Sequence, residues 1–298
     1  MKKLILLLTL FSSTLMAQTS NQLTLYFIPS PVGMDWSTPA NLAWSALKNR
    51  LSFQSRFMGH VFVELECGSE KQLTGMVGRN FDYLNQLLVE GRGLAVMYHS
   101  FDGSMEDKDK VAQEIKELSE VDGRMNFVRF NLNENQCARA MTYVKEYRQK
   151  DVGRYYGLAN RPLYAEGAGC SAFGASFAEV TGILDTEITE AWSHTVNIPL
   201  AFAGPPLKDE SVNLFKLMMN ASSWAKEEEP HQKLMFWSPD HMYAWVNKKI
   251  KAADKEKQFT VTSLGKSPGI VFDKSHVIAP SGPIWQQHLD QNIKTTKK

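Results

Sequence analysis

The 298-residue sequence predicts an α+β fold, a small antiparallel sheet packed against helices with an additional C-terminal α+β region. Three observations carry that expectation. "GHVFVELECGSEKQLTGMVG" alternates apolar residues at Val61, Val63 and Leu65, turns at Gly68 and Ser69, and returns through Leu73 and Val77, as a half-buried hairpin does. Capped amphipathic segments lie between further β-rich runs. The composition, 43% hydrophobic and 22% charged, is that of a globular chain long enough for one large domain or two modest ones.

In chain order, "MKKLILLLTLFSSTLMAQ" begins with Lys2 and Lys3 and runs apolar from Leu4 to Phe11. It ends in small or polar residues before Ala17, so residues 1–17 read as a secretory signal cut near Ala17. Leu15, third before the cut, is bulkier than the preferred alanine. The apolar run is shorter than the roughly 20 residues that cross a bilayer, and no other follows, so no stable membrane span is expected. No cysteine follows the cut to take a lipid anchor. A periplasmic or secreted protein is the expected product, and such compartments pair cysteines. Of Cys67, Cys137 and Cys170, the first two are the expected pair, with three reduced, buried thiols as the competing reading.

"QLTLYFIP" is a strand stopped by proline, and "STPANLAWSALKNRL" is a helix with Ser37 or Thr38 as cap and Pro39 in its first turn. After the hairpin, "GLAVMYHSFDG" and "MNFVRFNLN" read as strands flanking a charged helix from about Met105 to Val121. "NENQCARAMTYVKEYRQ" starts after an asparagine cap and puts Cys137, Met141 and Val144 on one face. "GCSAFGASFAEVTG" forms a helix ending at Gly182. "NIPLAFAGPPLKDES" is the best internal boundary, giving residues 18–200 and a C-terminal region 201–298 that packs on the first or stands apart. That region carries Trp224, Trp237, Trp245 and Trp285, a helix capped by Ser238 with Pro239 first, and strands near "FTVTSL" and "GIVF".

The net charge of +1 gives no chain-wide attraction to nucleic acid or to an anionic membrane, and no nucleic-acid partner is expected. Chemistry concentrates at "GAGCSAFG". Cys170 opens a helix whose Phe173, Phe177 and Val180 share its face, and the positive helix end favours a thiolate. Gly174, unfavourable inside a helix, points to close approach of another element. A thiol nucleophile needs a base, and His60 opens the hairpin on the face of Phe62 and Glu64, where a helix laid over that face would bring Cys170 to it. His241 is the next histidine, poorly placed at a positive helix end. "GKS" at 265–267 lacks the rest of a phosphate loop, no metal-ligand spacing appears, and no serine sits in a nucleophile elbow. No cofactor or metal is implied.

A strand "GHVFVEL" preceding a helix "GCSAFG", histidine first and cysteine later, resembles the circularly permuted branch of the papain-like fold. That branch holds the permuted relatives of the NlpC-type cell-wall peptidases and the lecithin:retinol acyltransferase-like proteins. The resemblance covers Gln22 to Leu184, making 18–200 the permuted papain-like domain. It implies Cys170 as nucleophile, His60 as base and the Cys170 backbone N–H in the oxyanion hole. A third polar residue would orient the imidazole from the strand after that of the histidine. There Thr74 would need a register shift, and Arg79 or Asn80 a bulge or a longer loop. Tyr155 and Tyr156 would line the cleft, with core packing as their alternative. The expected function is an exported cysteine hydrolase acting on an amide or ester, with peptidoglycan peptide leading other acyl or amide substrates. The alternative is a non-catalytic envelope binding protein that keeps the fold.

Overall fold

The computed structural model describes residues 20–52, 56, 58–79, 85–86 and 89–287. The expected leader and Asn80 lie outside them. The protein is α+β, but its sheet is not small. Eight strands form it, in the order β6-β4-β3-β2-β1-β5-β10-β9. They are β1 (Asn21–Ile28), β2 (His60–Cys67), β3 (Glu70–Gly78), β4 (Phe101–Met105), β5 (Asn126–Asn131), β6 (Tyr155–Tyr156), β9 (Phe259–Leu264) and β10 (Ser267–Asp273). All neighbours are antiparallel except β5 and β10, which run parallel. The expectation of a small antiparallel sheet missed this because β10 crosses back into the sheet from the far end of the chain, a pairing that no local pattern encodes. A separate ribbon pairs β7 (Ser193–Pro199) with β8 (His231–Trp237).

Period-2 alternation sorts the sheet into two faces. Leu23, Leu25 and Phe27 of β1 share one with Val61, Val63 and Leu65 of β2. Tyr26, Ile28 and Phe62 share the other. The first face is covered by α3 (Glu134–Gln149), α4 (Cys170–Val180) and α7 (Pro239–Ala252), through residues such as Tyr147, Phe173 and Trp245. The second is covered by α2 (Lys108–Ser119) through Val111 and Ile115.

Three of these helices, α2, α3 and α7, begin at a side-chain cap. Asp107 accepts from the backbone N–H groups of Asp109 and Lys110, and Asn133 forms a capping box with Gln136. Ser238 accepts from the N–H of His241, with Pro239 in the first helical position. The segment expected as a strand from Gly93 instead coils through Leu94–Tyr98 as a 3₁₀ turn, and only Phe101 onward joins the sheet as β4. A third apolar cluster lies beside the sheet. It joins that turn, α1 (Pro39–Leu51), α6 (Leu214–Asn220) and the inner face of the β7–β8 ribbon, while α5 (Thr186–Trp192) leads into β7.

Cys67, at the end of β2, is disulfide-bonded to Cys137 on α3 across a sequence separation of 70, with Cα atoms 5.7 Å apart. Cys170 is the free cysteine, and it is buried. No helix among the described residues is long and apolar enough to cross a membrane.

Candidate active site

The site forms where the start of α4 meets the start of β2. Ten of the eleven residues of α4 are buried, so the helix is enclosed all round rather than along one apolar stripe. Gly174 makes that possible: a Cβ there would stand 2.7 Å from Val61 Cγ1. The contact also places α4 on the Val61 face of the sheet, opposite the face expected to receive it. Cys170 therefore reaches His60 around the strand end rather than across the face, with its Sγ 3.9 Å from the carbonyl oxygen of Gly59. Gly169 precedes the helix and brings no side-chain cap, so the first-turn N–H groups keep their polarity for the thiol.

His60 and Cys170 interact both by charge and by hydrogen bond. Burial works against the charge of each, yet the interaction prevails. The thiol is held below its ordinary value by the imidazolium, by the Tyr156 hydroxyl and by the Val61 backbone N–H. The imidazole is pushed up to about 9 by the thiolate and by Glu106, against burial and Arg56. Each group thus favours the charged form of the other.

The residue that sequence reasoning missed is Glu106. Its Oε2 lies 2.7 Å from His60 Nε2, which leaves Nδ1 as the nitrogen for Cys170. Glu106 follows β4, and its N–H donates to the carbonyl of Gly75 on β3 at 2.9 Å. Gly75 is required here, because a Cβ at that position would collide with Glu106 Oε2. Arg56 donates to Glu106 Oε1 at 2.7 Å and to Glu114 on α2 through Nε at 2.6 Å. Burial raises the Glu106 carboxyl, but the charges and hydrogen bonds of His60 and Arg56 outweigh it and hold it at about 2. The sequence signal was faint: an acid just beyond a β-run, 46 residues from His60.

The residues expected to orient the imidazole do other work. Thr74 pairs with Val63 in the β2–β3 ladder, and its hydroxyl donates to the carbonyl of Glu106 at 2.9 Å, so it steadies the residue that holds His60. Arg79 is exposed and bonds through its backbone N–H to Asp102. Tyr156 places its hydroxyl 3.8 Å from Cys170 Sγ, whereas Tyr155 is exposed under the Arg154 guanidinium. His241 turns its Nδ1 to the Ser193 carbonyl, 3.3 Å away. Among the described residues no group of three or more His, Cys, Asp or Glu side chains could hold a metal ion.

Cys170 opens into a cavity of about 210 Å³. Its walls are mainly apolar, with Leu42 and Leu47 of α1, Met97, Leu217 of α6 and Phe236 of β8, and Tyr156 near the thiol; Ser30, His99, Ser171, Ser238 and Asp240 are the polar members of the lining. Comparison with protein-family models, with curated proteins and with solved structures found no match. The chemistry of the site therefore rests on its own geometry. A buried cysteine of depressed pKa beside a carboxylate-oriented imidazole, facing a mainly apolar cavity, can attack a carbonyl carbon and protonate what leaves.

Proposed function

We propose that this protein is a thiol acyl-transfer enzyme of hydrolase type, attacking an ester or amide through Cys170 with His60 as acid and base, on a permuted papain-like domain. One observation carries the reading: buried Cys170 and His60 in series with the partly buried Glu106, Nε2 of the imidazole being bonded to the carboxylate 2.7 Å away. The sulfur forms a bond to the carbonyl carbon while the π electrons move to oxygen. The Cys170 N–H and the Tyr156 hydroxyl, kept protonated by burial, are placed to receive that charge. Collapse breaks the bond to the leaving oxygen or nitrogen, which takes the proton of His60. Water then adds to the thioester, returns a proton to His60 and releases the acid and the thiolate. Glu106 supplies an orienting group, which favours catalysis over a non-catalytic binding protein.

The cavity favours a substrate whose acyl part is apolar. Leu42, Leu47, Leu217 and Phe236 offer no partner to the charged and amide groups of a peptidoglycan stem peptide, and the polar lining groups Asp240, Ser171 and Ser238 are already bonded within the protein, so much of such a peptide would be left unpaired at a cost. An alkyl chain leaves no such debt. The leader-like start supports an exported enzyme meeting envelope substrates.

The test compares nitrophenyl acetate, nitrophenyl octanoate and cell-wall muropeptides, with mass spectrometry of the Cys170 peptide. Octanoate turnover well above acetate, an acyl adduct on Cys170, and loss of both in Cys170→Ala are expected. Cleavage of muropeptides without turnover of octanoate would show that the acyl group is not alkyl.

A further inference from the structure

The two helices that wall the cavity also present an apolar exposed ledge. α1 and α6 lie side by side, joined where the Ala40 N–H donates to the carbonyl of Ala221 at 3.0 Å. Inward they offer Leu42, Leu47 and Leu217 to the cavity. Outward, Trp44, Lys48 and Leu51 recur at spacings of four and three along α1, one stripe of a helix. On α6, Phe215 and Met219 stand four apart with Lys216 beside them. Phe215 is 73% exposed, Met219 63%, Leu51 59% and Trp44 45%, values unusual for such side chains on a surface that never leaves water. Met58 is both exposed and part of the cavity lining, so the cavity that α1 and α6 wall has an apolar side chain at the surface.

Charge identifies the occupant. Neither helix contains an acidic residue, and Lys48, Arg50 and Lys216 are exposed and in no ion pair among the described residues. Asp35 and Glu210, which feel Lys48 and Lys216, stand in the flanking segments, and Glu210 is engaged by Lys208. A second copy of the chain meeting this face about a two-fold axis would bring cations against cations. An anionic lipid surface matches both parts, apolar side chains entering the headgroup boundary and cations meeting phosphates.

We propose that the α1–α6 ledge docks on an anionic lipid surface, so that an acyl chain passes from the lipid layer to the cavity at Cys170 without crossing water. The proposal rests on the reading of the cavity as an acyl-chain site. Docking is peripheral and requires no spanning helix.

The experiment uses the chain from Gln18 onward, which keeps every described residue and omits the apolar leader, with Cys170→Ala so that no turnover enters the readout. It is spun with vesicles of phosphatidylglycerol and phosphatidylcholine in equal parts, with phosphatidylcholine alone, and without lipid. Co-sedimentation with the anionic vesicles is expected, weakening as salt rises. Lys48→Ala/Arg50→Ala/Lys216→Ala should weaken it on the order of 10²-fold, at roughly fivefold per cation. Phe215→Ser/Met219→Ser should abolish it with an unchanged thermal midpoint. Absence of co-sedimentation, or binding indifferent to both variants, overturns the docking surface; so does a dimer that forms without lipid and is lost in Phe215→Ser/Met219→Ser. Soluble octanoate turnover is measured separately on the chain with Cys170 intact, so failure of docking and failure of the catalytic reading give different results.

Discussion

The imidazole of His60 stands between Cys170, whose thiol it depresses, and the Glu106 carboxylate, and each sets a separate pH dependence. Because the thiol is depressed and the imidazole is raised to about 9, Cys170 should alkylate rapidly with iodoacetamide well below pH 8.5. His60→Ala should slow that labelling, as peptide mass spectrometry across pH would read. Turnover should fall as pH rises past about 9, where His60 loses the proton it gives to the leaving group. Glu106→Gln keeps the shape but removes the charge, and should lower kcat by on the order of 10²-fold or more. The same variant reports on stability. A carboxyl at about 2 when folded and 4.5 when free stabilises the fold above pH 4.5 and loses that contribution as pH falls toward 2. The urea midpoints of the parent and Glu106→Gln should therefore differ at pH 6 and converge near pH 2.

At the scale of elements, close contacts between strands and helices position the chemistry. Gly174→Val would press a branched side chain into Val61 and tilt α4 away from β2, at a cost of about 1–3 kcal/mol. Its labelling at Cys170 should slow even at temperatures where far-UV circular dichroism shows a folded chain. The disulfide acts elsewhere, at the opposite end of β2. Cys67→Ser/Cys137→Ser should lose about 4 kcal/mol, because the reduced chain regains the freedom of a long loop. Cys170 labelling in the folded state should not change. The hairpin, the capped helices and the Cys170 helix were legible in the sequence, because each is written in local spacing and in caps such as Asn133 and Ser238. The close approach at Gly174 was legible too, although not the face it serves. Glu106 was not, since its place beside His60 depends on the β3–β4 register and on Gly75, which local spacing does not reveal. The 3₁₀ turn at Leu94–Tyr98 was misread because its apolar run packs into the cluster of α1, α6 and the β7–β8 ribbon without pairing into the eight-stranded sheet.

For the whole molecule, the last hundred residues complete structures begun by the first hundred. α7 covers β1 and β5, β10 seals the sheet beside β5, and α6 closes the cavity that Cys170 opens into. A chain ended at residue 200 would leave Val128 and Phe130 without cover and the cavity without a wall. It should bind a hydrophobic dye and give no cooperative urea transition, where the longer chain gives one. The pairing of β5 with β10 also has a temporal side. Synthesis delivers β5 long before Gly269–Asp273 exists, and through that interval β5, flanked by β1 on one side only, holds out a row of unpaired amides to any neighbouring strand. Crowded nascent chains share that hazard, which ends when β9 and β10 arrive to cover the edge.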